Sequence, residues 1–218
     1  MMADEPDLVF HLGDYIYEYA GNPNRIRTHV GPEIESLEQY RQRYNQYRTD
    51  SLLQRMHAHC PWWVTWDDHE FDNNCANDIS EEQGIDRIAF LKRRAAAYQA
   101  YYEMMPLRAS ACPMGHDMKL YRSGKFGRLA DFFVLDTRQY RTDQPNGDRN
   151  KPLNKVALDP ANTMLGHQQR GWLQQSIVRS ESQWNVLAQQ VMMGMANRQT
   201  KENDEACLLY TSPSPRDS

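Results

Sequence analysis

An apolar aromatic run, Trp62-Trp63-Val64-Thr65-Trp66, stops abruptly at Asp67-Asp68-His69-Glu70 and then at Asp72-Asn73-Asn74. This junction constrains the fold more than any other stretch. The run has the composition of a buried strand, and a strand that ends in carboxylates and an imidazole places them where an open α/β sheet binds ligands. Adjacent carboxylates repel unless a cation or a shared proton relieves them. Asp oxygens and a His nitrogen are ordinary ligands for a metal ion. Alternatively, the segment is a polar loop in which Asp67 or Asp68 caps the next helix. The density of D-D-H-E followed by D-N-N favours the ligand reading.

A second strand end lies upstream. Leu8 to Leu12 is apolar, and Gly13-Asp14 breaks it before Tyr15-Ile16-Tyr17-Glu18-Tyr19. The glycine permits a tight turn, and Asp14 is then either a turn residue bonded to its own backbone or a carboxylate set at the edge of the sheet. The tyrosines read as packing residues. Capping-box spacing at Ser36-Leu37-Glu38-Gln39 predicts a helix from Ser36 to Arg48, and Asp50 caps a shorter one ended by Pro61. His57 and His59 read as surface residues or as neighbours of a site. A loop carrying Asp78, Glu81 and Glu82 as a solvated acidic face leads to a helix over 85–104. Its predicted inner face is Ile88, Leu91, Ala95, Tyr98 and Tyr102, with Arg87, Lys92, Arg93 and Arg94 outward.

Residues 117–122 and 128–135 predict a hairpin turning across 123–127, with the second strand central and ending in Asp136-Thr137-Arg138. Arg138 is suited either to gripping a phosphate bidentately or to bracing the turn through Asp136. After a Pro/Asn/Asp-rich loop come a helix over 166–179, with Trp172, Leu173 and Ile177 inward, and a strand beginning at Trp184. The alternation of strands and helices predicts an α/β layered domain.

Composition narrows the functions. With 40% hydrophobic residues and 23 aromatic rings among Trp 5, Tyr 12 and Phe 6, a core can form. A net charge of -4 with both signs interspersed argues against a nucleic-acid groove. No run approaches the roughly 18 apolar residues of a membrane span. No leader is read where Met1 runs into Ala3-Asp4-Glu5-Pro6, and no protein partner is evident. The stretch 207–218 resembles the translated end of a sequencing-library adapter, and is expected to be a disordered, non-native tail. With Cys207 set aside, Cys60, Cys75 and Cys112 remain, and their spacing matches no zinc site.

The chain resembles the PhoD-like alkaline phosphatases and phosphodiesterases of the calcineurin-like metallophosphoesterase superfamily. The matching pieces are HLGDYIYEY at 11–19, TWDDHEFDNN at 65–74, RAAAYQAYYEMMPLR at 94–108, LDTRQYRTDQP at 135–145, TMLGHQQRGWL at 163–173 and WNVLAQQVMM at 184–193. The resemblance implies a four-layer α/β/β/α sandwich, exported, that hydrolyses phosphate monoesters and diesters with iron and calcium. It implies Asp14 as the carboxylate bridging the metals, Tyr17 as an iron ligand, Asp68 as a ligand of the second metal and His69 as the acid contacting phosphate. Asp67, Asn73, Asn74 and Arg138 would support these groups or the substrate. It also implies an earlier strand with a cysteine ligand and a later Gly-Asp-x-His-type motif. Residues 1–206 are therefore expected to be a fragment of the domain, binding metal poorly and hydrolysing phosphate esters weakly or not at all. Other readings remain: a metal-free glycosidase using the paired carboxylates, a calcium-stabilised binding module, or a non-catalytic α/β scaffold.

Overall fold

The computed structural model describes residues 4–145 and 154–191, together with the backbone of 196–197 and 208–209. Strand β1 (Val9–Leu12) pairs in parallel with β2 (Trp62–Thr65), in the register Val9↔Trp62 to Leu12↔Thr65. Between them run α1 (Leu37–Tyr47) and α2 (Ser51–His59). Both helices begin as the sequence predicts: Ser36 forms a reciprocal capping box with Gln39, and Asp50 accepts the Leu52 and Leu53 amides. Helix α3 (Arg87–Met104) starts at the Asp86 cap. A second sheet has the order β3 (Arg122–Phe126), β4 (Ala130–Val134), β5 (Trp184–Ala188), with β4 antiparallel to β3 and parallel to β5. Helix α4 (Gly166–Val178) makes the crossover between β4 and β5. Ala196–Asn197 pair with Leu208–Leu209 in a two-residue ladder, and the other expectations for 207–218 lie outside the described residues.

Alternation along the strands produces four layers. Val9, Trp62 and Val64 are buried in the core cluster with Tyr44, Met56, Tyr98 and Tyr101 from α1–α3. On the opposite face Phe10 and Trp63 meet Phe132 of β4, with ring centroids 4.8 Å and 5.9 Å from it. The other side of β4 turns Phe133 toward Leu173 and Trp172 of α4. The order is thus helices, β1–β2, β3–β4–β5, helix, as expected for the α/β/β/α sandwich. Thr65 Oγ1 donates to the Leu135 carbonyl at 2.7 Å, and the Arg122 guanidinium donates to the Val64 carbonyl at 2.9 Å, so polar bonds also tie the sheets together.

Several expectations need correction. The hairpin turns at Gly127 rather than across 123–127. Gly124 lies inside β3, because a Cβ there would come within 2.2 Å of the Trp63 ring. The buried face of α3 is Phe90, Arg93, Arg94, Ala97, Tyr98 and Tyr101, while Ile88 is exposed. Arg93 and Arg94 are buried because acceptors await them. Arg94 donates to the His116 carbonyl at 2.9 Å and to the Asn77 carbonyl. Arg93 reaches Asp72, Glu82 and Glu33, so Glu82 is paired rather than part of a solvated face. His57 stacks on Trp62 at 3.9 Å and hydrogen-bonds the Tyr15 hydroxyl at 2.8 Å. His59 is exposed.

Candidate metal centre

The parallel register brings two strand ends side by side. Gly13-Asp14 leaves β1 where Trp66-Asp67 leaves β2, and the chains nearly touch. A Cβ added at Gly13 would lie 2.4 Å from the Asp67 amide nitrogen, and φ there is +101°. Asp14 follows at φ 58, in the left-handed region that short polar residues tolerate best. Glu70 locks the two turns together. Its carboxylate accepts the Tyr15 amide at 2.6 Å and the Asp67 amide at 2.8 Å. Burial, and then the charge of Asp14, push Glu70 up to about 8 against those two hydrogen bonds.

At this junction a carboxylate oxygen of Asp14, one of Asp68 and a ring nitrogen of His69 lie within 4.8 Å of one another. The Tyr17 hydroxyl donates to Asp14 Oδ2 at 3.0 Å, which brings a phenol to the same point. Oxygen donors with a single imidazole suit a hard or intermediate cation, so the residues present fit a metal ion.

The neighbouring carboxylates are held in different states. Burial would raise Asp68, but the Arg138 and His69 charges and the Asn74 amide, donating at 2.7 Å, hold it below the usual carboxylate value. Asp67 is raised to about 7, because burial and the like charge of Asp68 outweigh Arg138, whose Nε donates to Asp67 Oδ1 at 2.6 Å. The Arg138 guanidinium also lies 3.2 Å from Asp68 Oδ1. The expected brace through Asp136 is made instead by backbone: Asp136 Oδ1 accepts the Arg138 amide at 3.0 Å and the Gln139 amide at 2.9 Å. Asp136 holds its own turn, and the Arg138 side chain is thereby aimed across to β2.

His69 is enclosed. Its Nδ1 lies 2.8 Å from Glu18 Oε2, and the Tyr17 and Tyr19 rings lie 4.1 Å and 5.2 Å from its own. Burial opposes a charge on this ring. The Glu18 hydrogen bond and the charges of Asp68, Glu18 and Asp14 prevail and raise it to about 10. Asn73 donates its amide to Glu18 Oε1 at 3.0 Å, and its buried Oδ1 has no hydrogen-bond partner among the described residues. Of the candidate residues, Asp14, Tyr17, Asp68 and His69 converge directly. Asp67 and Arg138 adjoin them, and Asn73 and Asn74 act through their amides. Glu18 escapes a reading of the sequence, and so does the part Glu70 plays in tying the two turns together. The signal for Glu70 is its place in D-D-H-E, and that for Glu18 is a lone acid inside an aromatic run.

A second group, Glu33, Asp72 and Glu82, also brings carboxylates within 4.8 Å of one another. Arg93 already supplies its cation, with contacts of 2.8 Å to Asp72, 3.2 Å to Glu82 and 2.7 Å to Glu33. Ser80 donates to Asp72 at 2.6 Å. This is an ion-pair network, and it fits a metal poorly.

Four layers with a carboxylate–imidazole cluster at adjacent parallel strand ends define a two-sheet α/β/β/α sandwich with a candidate metal site at its strand ends. Within that class the chain belongs to the PhoD-like phosphatase family, whose model matches residues 1–212. It is similar to alkaline phosphatase D of Bacillus subtilis (strain 168), with 53% identity over 202 residues, covering 90% of this chain and 34% of that protein. It is also similar to a solved structure of PhoD, with a TM-score of 0.86 at 54% identity, covering 90% of this chain and 38% of that one. The chain therefore spans little more than a third of the length of these relatives.

Proposed function

We propose that this chain forms part of a metal-dependent hydrolase of phosphate monoesters and diesters, exported from the cell, with iron and calcium as its metals. Asp14, Tyr17 and Asp68 would hold the metals, and His69 would protonate the leaving oxygen. The observation that carries this reading is the convergence of Asp14, Asp68 and His69 donor atoms within 4.8 Å at the ends of β1 and β2. When bound, the metals would supply positive charge to the phosphoryl oxygens and a water acidified toward neutrality.

The chain's own residues divide the remaining work. Glu70 keeps the Asp14 and Asp67 turns in contact, so that carboxylates from separate strands face one point. Arg138 spans Asp67 and Asp68 and keeps Asp68 ionised as a donor. The 73–74 turn orients Asp68 and Glu18 through its amides. His69, enclosed by Glu18 and two tyrosine rings, is stabilised as the protonated acid that a leaving oxygen requires. Hard cations take six or more ligands, and among the described residues Asp14, Tyr17 and Asp68 meet only part of that demand. The 218-residue chain alone is therefore expected to hold metal loosely and turn over slowly.

Elemental analysis after dialysis, with hydrolysis of p-nitrophenyl phosphate and its diester, tests this. Sub-stoichiometric iron or calcium and a slow, chelator-sensitive hydrolysis, both lost in Asp68→Asn, are expected. Hydrolysis that survives chelation and both Asp14→Asn and Asp68→Asn would exclude this site.

A further inference from the structure

We infer that Glu33 and Glu82 form a proton-linked clamp: a hydrogen shared between their carboxyls, beside Arg93, ties the 32–35 segment to the 76–85 loop, and its loss as pH rises loosens the loop. The clamp lies outside the candidate metal centre and stands or falls without the phosphoesterase reading. Arg93 reaches from α3 into a gap among three segments. Its Nη1 donates to Asp72 Oδ1 at 2.8 Å and to Glu82 Oε1 at 3.2 Å, and its Nη2 donates to Glu33 Oε1 at 2.7 Å. Its Nε donates to the Tyr40 hydroxyl at 3.1 Å. Oxygens of the three carboxylates lie within 4.8 Å of one another. A single guanidinium balances only one of three ionised carboxylates, and like charges at that range repel. A hydrogen held by one carboxyl and accepted by the next turns the repulsion into a bond. Glu33 and Glu82 are the pair placed to share it. Their side chains are 36% and 40% exposed and exchange protons with solvent, whereas Asp72 is enclosed and already takes bonds from Arg93 and Ser80.

The titration of the pair agrees with this placement. Burial, and then the hydrogen bond with Glu82, push Glu33 above the usual carboxylate value against the pull of Arg93. Burial would raise Glu82 too, but the bond from Glu33 and the Arg93 charge hold it below that value. Glu33 is thus the donor. Its contribution is complete below 4.5 and lost as pH climbs through its raised value, while that of Glu82 is lost only as pH falls beneath 4.5. The other groups facing the pair are Asp72, pushed by burial up to about 7, and the Tyr40 phenol, raised by burial; the Glu18 charge reaches both of these. The two sides of the clamp are held differently. Arg43 donates to the Pro32 carbonyl at 3.4 Å, and the Ile34 amide donates to the Glu18 carbonyl at 3.0 Å, so the 32–35 segment is pinned to its surroundings. The Ile79 and Ile85 amides donate only short distances along the chain, to Ala76 and Glu82. The loop is therefore the side that yields.

Hydrogen-exchange mass spectrometry of the 218-residue chain, with rates corrected for their intrinsic pH dependence, tests the clamp. Protection of the 76–85 amides, relative to those of β2, is expected to fall about fivefold between about pH 5 and about pH 8. Glu33→Gln keeps a donor beside Glu82 at every pH, so most of that fall disappears. Glu82→Gln supplies the donor from the other side and acts alike, which covers the case in which one variant fails to fold. Glu38→Gln, an exposed acid on α1, leaves the fall in place. Protection of 76–85 that is level across this range, or that falls only in step with β2, overturns the inference. So does a fall centred near 7 and unchanged in folded Glu33→Gln, which would assign it to Asp72.

Discussion

At Gly13 the chain has no room for even a methyl group: an added Cβ would meet the Asp67 amide nitrogen at 2.4 Å and the Asp67 Cβ at 2.6 Å. Gly13→Ala must therefore spread the two strand ends and also adopt a φ near +101°. A loss of about 2–4 kcal/mol is expected in chemical denaturation, together with weakened metal retention, because Asp14 moves with the turn. Arg138 is as tightly fixed. Its guanidinium is 2% exposed and lies against Asp67 and Asp68. Arg138→Met leaves those carboxylates without their cation and is expected to cost about 3–5 kcal/mol. Added divalent metal should recover part of that loss in thermal melts, since it replaces the missing positive charge; equal melts with and without metal would separate Arg138 from the metal site. The sequence makes Asp14, Asp68 and His69 conspicuous as polar residues breaking apolar runs. It offers Arg138 a phosphate or Asp136, and does not foretell the side-chain contacts with Asp68 and with Asp67, 71 positions away.

Helix α3 shows how an element can hide its role. Its buried face carries Arg93 and Arg94 beside Phe90, Ala97, Tyr98 and Tyr101; apolar periodicity finds Tyr98, Leu91 and Tyr102 but misses both arginines and wrongly includes the exposed Ile88. The polar side of the buried stripe is satisfied only by groups from other segments. Arg93→Ala leaves Asp72, itself fully buried, without a cation, and about 3–5 kcal/mol of destabilisation is expected by urea titration. Arg87→Ala, on the same helix but with its side chain 66% exposed against Asp78, should change stability by less than about 1 kcal/mol. If the two variants were equal, the buried network would hold nothing together. Helix starts, by contrast, are written locally. The caps at Ser36 and Asp50, both placed from sequence, bond amides two or three residues ahead; Asp86 does the same, although the predicted helix over 85–104 runs past it. Gly124 marks the limit of local rules: it looks like a turn glycine, but it is small because the Trp63 ring of the other sheet covers it.

At the scale of the molecule, the site concentrates negative charge where solvent is excluded, and this sets how stability responds to pH. Glu70 titrates ordinarily at 4.5 and here at about 8. Across that interval the folded chain keeps a proton the unfolded chain has lost, so stability falls as pH rises. Asp67, raised from 3.8 to about 7, acts in the same direction. His69 does so as a base: raised from 6.5 to about 10, its contribution is complete below 6.5 and lost as pH climbs through about 10. Asp68, held below 3.8, runs the other way, and its contribution is lost only as pH falls beneath that value. The metal-free chain should therefore melt highest in mild acid and progressively lower toward alkaline pH. Glu70→Gln should flatten the slope, and a bound divalent cation should offset the alkaline loss. A metal-free melting temperature that rises from about pH 5 to about pH 9 would contradict this assignment of charges. By itself the sequence determined the caps at Ser36 and Asp50, most of the strands and helices, and the strand-end carboxylates with their histidine, because these depend on neighbours within a few positions and on alternation along one element. Only the tertiary structure decided which carboxylate each buried cation faces, that Gly13 and Gly124 are close-approach points, and that Glu18 and Glu70 organise the centre. Those choices depend on the parallel register of β1 with β2 and on the packing of two sheets, which bring together residues tens of positions apart.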